Sequence, residues 1–306
     1  MKIQKRIFSL AAAAALAVAA LSGCSSAGKP SESAAPSANP SGSAAPSASA
    51  SPITVISREE GSGTRGAFVE LLGIETADGD GTTDNAEIAN STSLVQSTVA
   101  GNKAAIGYIS LGSYDASVVK ALKVDGVEPT VDNIKAGKYA VARPFNICYK
   151  EENLTDLGRD FVSFIMSADG QAILSAKGYI AADESAKPYA AAGLTGALSV
   201  NGSTSVGPVM EKLAETYMEL NAGVTIDIQQ TGSGTGITST IDGSCEIGMS
   251  SRALKDEELS QGLTPVTIAM DGIAVIVSLE NTVDGLTSEQ IRQIYTGELT
   301  DWNSVG

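Results

Sequence analysis

Residues 53–68 read ITVISREEGSGTRGAF, an apolar run followed by a glycine-rich loop and then by helix-forming residues. This order predicts a strand that leads through a tight loop into a helix. The loop glycines have the G-x-G-x-x-G spacing that places a dinucleotide pyrophosphate at a helix N-terminus. Residues 58–60 separate the apolar run from Gly61, so the dinucleotide interpretation is poorly supported. A different anion site and an ordinary glycine-rich turn remain as alternatives.

Strand–loop–helix units of this kind recur along the chain. Short apolar runs, such as residues 53–56 and 273–277, alternate with helical stretches, which predicts an α/β fold with helices on the faces of its sheets. Ligands of such folds bind where strands end and loops enter helices. Three further loops rich in Ser, Thr and Gly follow predicted strands, at residues 202–207, 232–236 and 248–252.

Loops of this composition are suited to anions. A helix N-terminus leaves backbone N–H groups unpaired and carries partial positive charge, so phosphate, sulfate and carboxylate groups bind there. Arg58 lies in the first loop and could make a bidentate contact with an oxyanion, or an ion pair with Glu59, Glu60 or a nearby aspartate. Arg65 and Arg252 are weaker candidates, since either could face solvent. Helix capping by Ser and Thr is the alternative reading of all four loops.

Composition excludes several classes of function. The sequence has no histidine, which removes Ser-His-Asp and Cys-His catalysis and any metal site built on histidine. The net charge of −15 and the 5% content of aromatic residues argue against a nucleic-acid partner. Residues 232–236 lack the Gly-Lys-Ser/Thr ending of a nucleotide P-loop. The length of 306 residues allows two modest domains.

The N-terminus predicts export. Residues 1–23 have a basic start and an apolar stretch too short to span a bilayer comfortably, and they end in Leu-Ser-Gly before Cys24. This is typical of a bacterial lipoprotein signal peptide, with Cys24 as the lipid attachment site; a plain signal peptide is the alternative. Residues 24–52 are mostly Ser, Ala, Pro and Gly and are expected to form a flexible stalk. Pairing of Cys148 with Cys245 is left open.

Together these motifs resemble the phosphate-binding lipoproteins of bacterial phosphate ABC transporters. The resemblance covers nearly all of residues 53–306 and rests on SREEGSGTRGAF, NGSTSVGPVMEKL, QQTGSGTGI, EIGMSSR and DGIAVIV. It implies a two-lobed, type II periplasmic-binding-protein fold that closes by a hinge on inorganic phosphate in the cleft between the lobes. It also implies delivery to an ABC permease, attachment to the outer face of the cell membrane through the N-terminal lipid, and no catalysis, cofactor or metal.

The order of the segments differs from most members of the resembled family, where NGSTSVGP begins the mature domain and SREEGSGTRG comes later. The chain therefore resembles a circularly permuted member. On this reading one lobe is discontinuous, formed by residues 53–139 and 280–306, and residues 140–279 form the other. The hinge crossovers are expected near residues 141–145 and 278–281, and Ile53 is expected to lie close to Gly306.

The resemblance also implies which residues contact phosphate. The expected contacts are Arg58, Ser62, Gly63 and Thr64 from one lobe, and Thr204, Ser205, Ser233 and Ser251 from the other. Ser205 stands where well-studied members have a Phe that contributes its backbone N–H. Ser251 stands where such members have an Asp that accepts the phosphate proton and so excludes sulfate. Asp271 could replace that acceptor, although a carboxylate that caps a turn is the simpler reading.

Three other functions fit parts of this pattern. A binding protein for sulfate or molybdate would use the same loops. A secreted phosphatase-like enzyme would use the same anion site for catalysis. A surface adhesin or sensor would keep the fold without a permease.

Overall fold

A computed structural model of the protein describes residues 51–76 and 79–305. The predicted signal peptide, Cys24, all of the stalk before Ser51, and Gly306 lie outside these residues. The described residues belong to one compact unit, Ser49–Gly306. Within them, no helix is both long enough and apolar enough to cross a membrane.

The described part of the chain alternates strands and helices, as the sequence predicts. Its strands are β1 (Thr54–Arg58), β2 (Glu75–Thr76), β3 (Gly79–Asp80), β4 (Glu87–Ala89), β5 (Ala105–Ser110), β6 (Val119–Ala121), β7 (Lys123–Val124), β8 (Ala142–Lys150), β9 (Ile180–Ala181), β10 (Thr195–Gly202), β11 (Gly223–Gln230), β12 (Ile247–Ser250), β13 (Leu263–Ser278) and β14 (Gly285–Leu286). Its α-helices are α1 (Gly63–Leu71), α2 (Thr92–Gly101), α3 (Val131–Lys135), α4 (Asp156–Ile165), α5 (Ala168–Ala176), α6 (Gly207–Leu220), α7 (Ser233–Asp242), α8 (Asp256–Leu259) and α9 (Ser288–Thr296).

One curled sheet carries both lobes, in the strand order β11-β10-β12-β8-β13-β5-β1-β4. The strands at each end of this order pair in parallel, β10 with β11 and β12, and β1 with β4 and β5. The central strands β8 and β13 pair antiparallel with each other, and β13 continues into antiparallel pairing with β5. The lobes are therefore joined through these two long strands.

Each lobe has its own apolar core. The second lobe, built on β10–β12 and α4–α7, packs around Phe161, Phe164 and Tyr217. The first lobe, built on β1, β4, β5, α1, α2 and α9, packs around Phe68, Tyr108 and Tyr295, whose rings contact one another. This two-lobed α/β architecture is the fold class expected from the sequence.

Strand β13 is much longer than expected. The sequence predicts a strand at residues 273–277, whereas the observed strand begins at Leu263. Its first half alternates buried and partly exposed residues and is held by its ladder with β8, so periodicity alone did not reveal it. The residues from Ile273 to Val277 pack in the core of the first lobe. This packing favours a second crossover near Gly272, earlier than the expected residues 278–281.

The two ends of the described chain meet in the first lobe. The Ile53 N–H donates to the Thr300 carbonyl over 2.9 Å, and the Trp302 N–H donates to the Ser51 carbonyl over 2.8 Å. Pro52 and Asp301 form a β-bridge between them. Ile53 therefore lies beside residues 300–302. Its expected closeness to Gly306 stays a prediction, because Gly306 lies outside the described residues.

Cys148 and Cys245, whose pairing the sequence left open, are both free and buried. Burial raises the pKa of the Cys148 thiol to about 12. The Cys245 thiol lies 3.3 Å from the Thr240 hydroxyl. Both residues therefore contribute to packing in the second lobe.

Candidate functional site

Arg58 ends strand β1, and its side chain is buried between the lobes. Only 2% of the residue is exposed. Its Nε and Nη2 atoms donate to the two carboxylate oxygens of Glu59 over 2.8 and 2.7 Å. Nη2 also donates to the Thr204 hydroxyl of the second lobe over 3.0 Å. The ion pair considered from the sequence is therefore present, and the same guanidinium reaches across the cleft.

Helix α1 begins directly behind this arginine. Ser62 is its N-cap, and the Ser62 hydroxyl accepts from the Arg65 N–H over 3.4 Å. Gly63 and Thr64 form the first turn and are buried. The Thr64 hydroxyl lies 2.9 Å from the Ser205 hydroxyl of the second lobe. The first turn of α1 therefore faces the other lobe with backbone N–H groups and a hydroxyl.

The second lobe presents its own helix starts to the same place. The Ser203 hydroxyl accepts from the N–H groups of Ser205 and Val206, which fixes the turn before α6. Ser233 is the first residue of α7 and follows Gly232, whose φ of 100° suits glycine. The Ser251 N–H donates to the Ser233 hydroxyl over 3.1 Å, which joins the end of β12 to the start of α7.

The lobes approach so closely here that glycine is required at one position. A Cβ atom on Gly63 would overlap the Ser233 hydroxyl and lie 2.8 Å from the Ser251 hydroxyl. The Gly234 N–H also donates to the Gly61 carbonyl over 2.9 Å. The structure thus brings seven of the eight predicted residues into cross-lobe contact: Arg58, Gly63, Thr64, Thr204, Ser205, Ser233 and Ser251. The Ser62 hydroxyl instead bonds within its own helix.

Thr92 is a residue of this group that the sequence analysis missed. It opens helix α2, is 6% exposed, and lies 3.0 Å from the Ser205 hydroxyl and 3.4 Å from the Thr204 hydroxyl, measured between hydroxyl oxygens. The signal was present, because residues 91–93 read Ser-Thr-Ser at a helix start. The preceding strand β4 has only three residues, two of them exposed, so the sequence has no apolar run that would predict a strand before this helix start.

Arg65 and Arg252 have partners outside the hydroxyl group. Arg65 pairs with Asp80 over 2.5 Å and donates to the Arg58 carbonyl over 2.9 Å. Arg252 pairs with Glu258 over 2.6 Å. Both arginines therefore form ion pairs within the protein, whereas the sequence had left open that either could face solvent.

Asp271 belongs to the joint between the lobes. It is opposite Arg143 in the β8–β13 ladder, accepts from Arg143 Nη2 over 3.1 Å and accepts from the Ser110 hydroxyl over 3.0 Å. Burial raises the pKa of the Asp271 carboxyl to about 6, against the opposing effect of Arg143. Asp271 bonds to these two side chains and not to the hydroxyls of the cleft described above, so the structure gives it the ordinary role of a paired carboxylate.

The cluster can bind an oxyanion by hydrogen bonding. It combines one guanidinium, several hydroxyls and the N-termini of α1, α2, α6 and α7, which supply donors and partial positive charge. Hydroxyls both donate and accept, so they can also satisfy a protonated oxygen. Among the described residues, no group of Asp, Glu or Cys has the geometry of a metal site.

Comparison with known proteins agrees with this architecture. The chain matches the PBP superfamily domain over residues 32–169 and 187–306. It is 44% identical to phosphate-binding protein PstS 2 of Streptococcus agalactiae serotype V over 310 residues, which cover 100% of this chain and 99% of that protein. The chain belongs to the PstS family of phosphate-binding proteins.

Two further PstS family relatives come from Streptococcus pneumoniae. Phosphate-binding protein PstS 2 of strain TIGR4 is 48% identical over 257 residues, covering 83% of this chain and 87% of that protein. A crystal structure of a phosphate-binding protein of a phosphate ABC transporter from the same strain is 47% identical, covers 83% of this chain and 100% of that chain, and has a TM-score of 0.68. The two-lobed fold is thus shared with a solved PstS family member.

The end-to-end match with the Streptococcus agalactiae relative has a consequence for segment order. Because one alignment spans both PstS chains, the order of segments in this chain is shared with that relative. Permutation with respect to other family members stays a prediction, and the meeting of residues 51–53 with residues 300–302 supports it.

Proposed function

We propose that this protein binds inorganic phosphate outside the cytoplasm and delivers it to an ABC permease. The observation that carries the proposal is a hydrogen-bond network between the lobes. In it Arg58 donates to Thr204, and the hydroxyls of Thr64, Thr92, Thr204 and Ser205 contact one another. The Streptococcus relatives that match over most of their length are named phosphate-binding proteins.

Phosphate suits this cluster because its four oxygens accept hydrogen bonds in several directions at once. Each hydrogen bond to a charged group contributes about 1.5–3 kcal/mol. Most of that energy offsets the loss of hydration when the dianion and Arg58 are buried. The proposed contacts are the guanidinium of Arg58, the hydroxyl of Ser62, the backbone N–H of Gly63, and further hydroxyls on both lobes. The hydroxyls are those of Thr64, Thr204, Ser205, Ser233 and Ser251, to which the structure adds Thr92.

Closure of the two lobes on the ion is expected because the proposed phosphate-binding groups are divided between them. Donors on the first lobe and donors on the second lobe can reach one ion only when the lobes meet, and β8 and β13 supply the joint about which they move. The closed protein would then present a surface that the permease distinguishes from the open one. Phosphate is released when the lobes separate.

The protein is proposed to act without catalysis. Histidine is absent from the sequence, and Glu59, the carboxylate beside Arg58, is held by that arginine through both of its oxygens. A phosphatase-like enzyme would need a group free to act as nucleophile or base. Anchoring through a lipid on Cys24, with residues 25–52 as the stalk, is likewise proposed from the sequence.

Competition calorimetry tests the assignment of the ion. The protein is titrated with phosphate alone and with phosphate after saturation with sulfate or molybdate. Tight phosphate binding that sulfate weakens only at large excess is expected. Sulfate or molybdate binding as tightly as phosphate would contradict the assignment. Hydrolysis of a chromogenic phosphate ester that Ser62→Ala abolishes would instead support the enzyme alternative.

A further inference from the structure

A cavity of about 270 Å³ adjoins the hydroxyl cluster and lies between the lobes. Ser91, Thr92 and Gln96 line it from the first lobe, and Lys177, Thr204 and Gln230 line it from the second. Thr92 and Thr204 also belong to the proposed phosphate site, so the cavity reaches that site directly. None of the residues that line it is acidic.

Lys177 differs from the arginines described above. Arg58, Arg65, Arg143 and Arg252 are each paired with a carboxylate at 2.5–3.1 Å. Lys177 is exposed at the end of α5, and no carboxylate lies within 4.0 Å of it among the described residues. It is therefore a cation of this cavity that forms no ion pair with the described residues.

Gln96 adds a second feature to the same cavity. Its Oε1 atom is buried and has no hydrogen-bond partner among the described residues. A side-chain amide can donate to an oxyanion or accept from its acidic proton. On the opposite wall, Gln230 donates to Glu211 over 2.8 Å.

We propose that this cavity is the entry route for phosphate and that Lys177 captures the incoming ion before the lobes close on it. The inference rests on the proposed function. A chain with a net charge of −15 repels anions at long range, whereas salt screens distant charges beyond about 8 Å. The local field at the mouth then decides the rate of entry, and Lys177 supplies positive charge there.

Lys177→Gln tests this role, with Lys187→Gln as the control. Lys187 is an exposed lysine of the same lobe that lines a different cavity, so both variants lose the same charge. The dissociation constant is measured by calorimetry, and the dissociation rate by chasing bound radiolabelled phosphate with unlabelled phosphate. Their ratio gives the association rate at low and high salt.

Lys177→Gln is expected to slow association about threefold at low salt and to leave the dissociation rate unchanged. The difference should vanish in 0.5 M salt, at about which screening reaches only a few ångströms. Lys187→Gln should have the same association and dissociation rates as the unmodified protein. An unchanged association rate, or a faster dissociation instead, would overturn the inference while leaving phosphate binding intact. Absence of phosphate binding by the unmodified protein would refute the proposed function, and the inference with it.

Discussion

Arg58 illustrates what a single residue contributes to this site. Its guanidinium is buried, is held in place by Glu59 and the Ala89 carbonyl, and touches Thr204 of the other lobe. A buried cation that is already oriented loses little freedom when an anion arrives, which favours tight binding. The sequence identified this arginine but left its ion pair and its anion contact as alternatives; the structure shows the ion pair with Glu59, and the anion contact stays a prediction.

Arg58→Ala is expected to weaken phosphate binding at least tenfold, or about 1.4 kcal/mol, because the site loses its one guanidinium. Calorimetry measures the change. Arg159→Ala is the matched control, since Arg159 pairs with Glu151 on the surface of the second lobe. A dissociation constant that Arg58→Ala leaves unchanged would remove this residue from the site.

Ser251 is expected to determine how the protein treats sulfate. It is 1% exposed and bound to Ser233, so a carboxylate there would face the ion in the cleft. Ser251→Asp should weaken sulfate binding about tenfold or more relative to phosphate, because phosphate carries a proton that a carboxylate accepts, whereas sulfate would meet only repulsion.

The control for that change is Ser251→Ala, which removes the hydroxyl without adding charge. It should weaken binding of both ions to a similar degree. Separate calorimetric titrations with phosphate and sulfate compare the three proteins. If Ser251→Asp weakened phosphate and sulfate binding by the same factor, this position would not discriminate between the two ions.

Among the elements, helix α1 contains two glycines of the motif from which the strand–loop–helix unit was predicted. Gly63 begins the helix at a point where the second lobe leaves no room for a side chain, while Gly66 one turn later meets only the Arg252 side chain, 3.4 Å from an added Cβ. Two glycines of the same motif therefore have different roles. Sequence spacing places both in the loop and helix, and only the packing of the lobes distinguishes them.

Gly63→Ala is expected to weaken phosphate binding at least tenfold, or about 1.4 kcal/mol, because the added methyl group keeps the lobes apart. The free energy of unfolding should not fall, since alanine favours a helix more than glycine does. Gly66→Ala makes the same chemical change in the same helix and should bind phosphate normally. Calorimetry and chemical denaturation separate the two effects, and normal binding by Gly63→Ala would contradict the proposed closure.

Some helices and strands could be predicted from the sequence and others could not. The Ser/Thr/Gly loops predicted most of the cluster because helix starts have a local signature. Thr92 was missed because β4 is short and exposed, and the first half of β13 was missed because its burial depends on pairing with β8. Which hydroxyls meet across the cleft depends on the arrangement of the lobes, and no local pattern encodes it.

At the scale of the whole molecule, the joint between the lobes contains a buried ion pair. Arg143 and Asp271 are 2% and 1% exposed, and they lie opposite each other on the two strands that connect the lobes. The sequence offered Asp271 as a possible phosphate acceptor, because DGIAVIV gave no indication of its partner. The pairing depends on register between strands more than 100 residues apart in sequence.

Asp271→Asn is expected to lower the free energy of unfolding by about 3–5 kcal/mol, because it leaves the Arg143 charge buried without a partner. Chemical denaturation measures the loss. Adding Arg143→Met to the same chain should recover much of it, since the orphaned charge is then removed. Asp284→Asn is the control, because its pair with Lys120 is exposed and should change stability by less than about 0.5 kcal/mol. Equal effects of Asp271→Asn and Asp284→Asn would contradict this account.

The central claim is that both lobes hold one phosphate ion. A crystal structure of the protein grown with phosphate tests it most directly. A single ion is expected within hydrogen-bonding distance of Arg58 and Thr64 on the first lobe and of Thr204 and Ser233 on the second. An ion held by one lobe alone, or bound outside this cleft, would contradict the account.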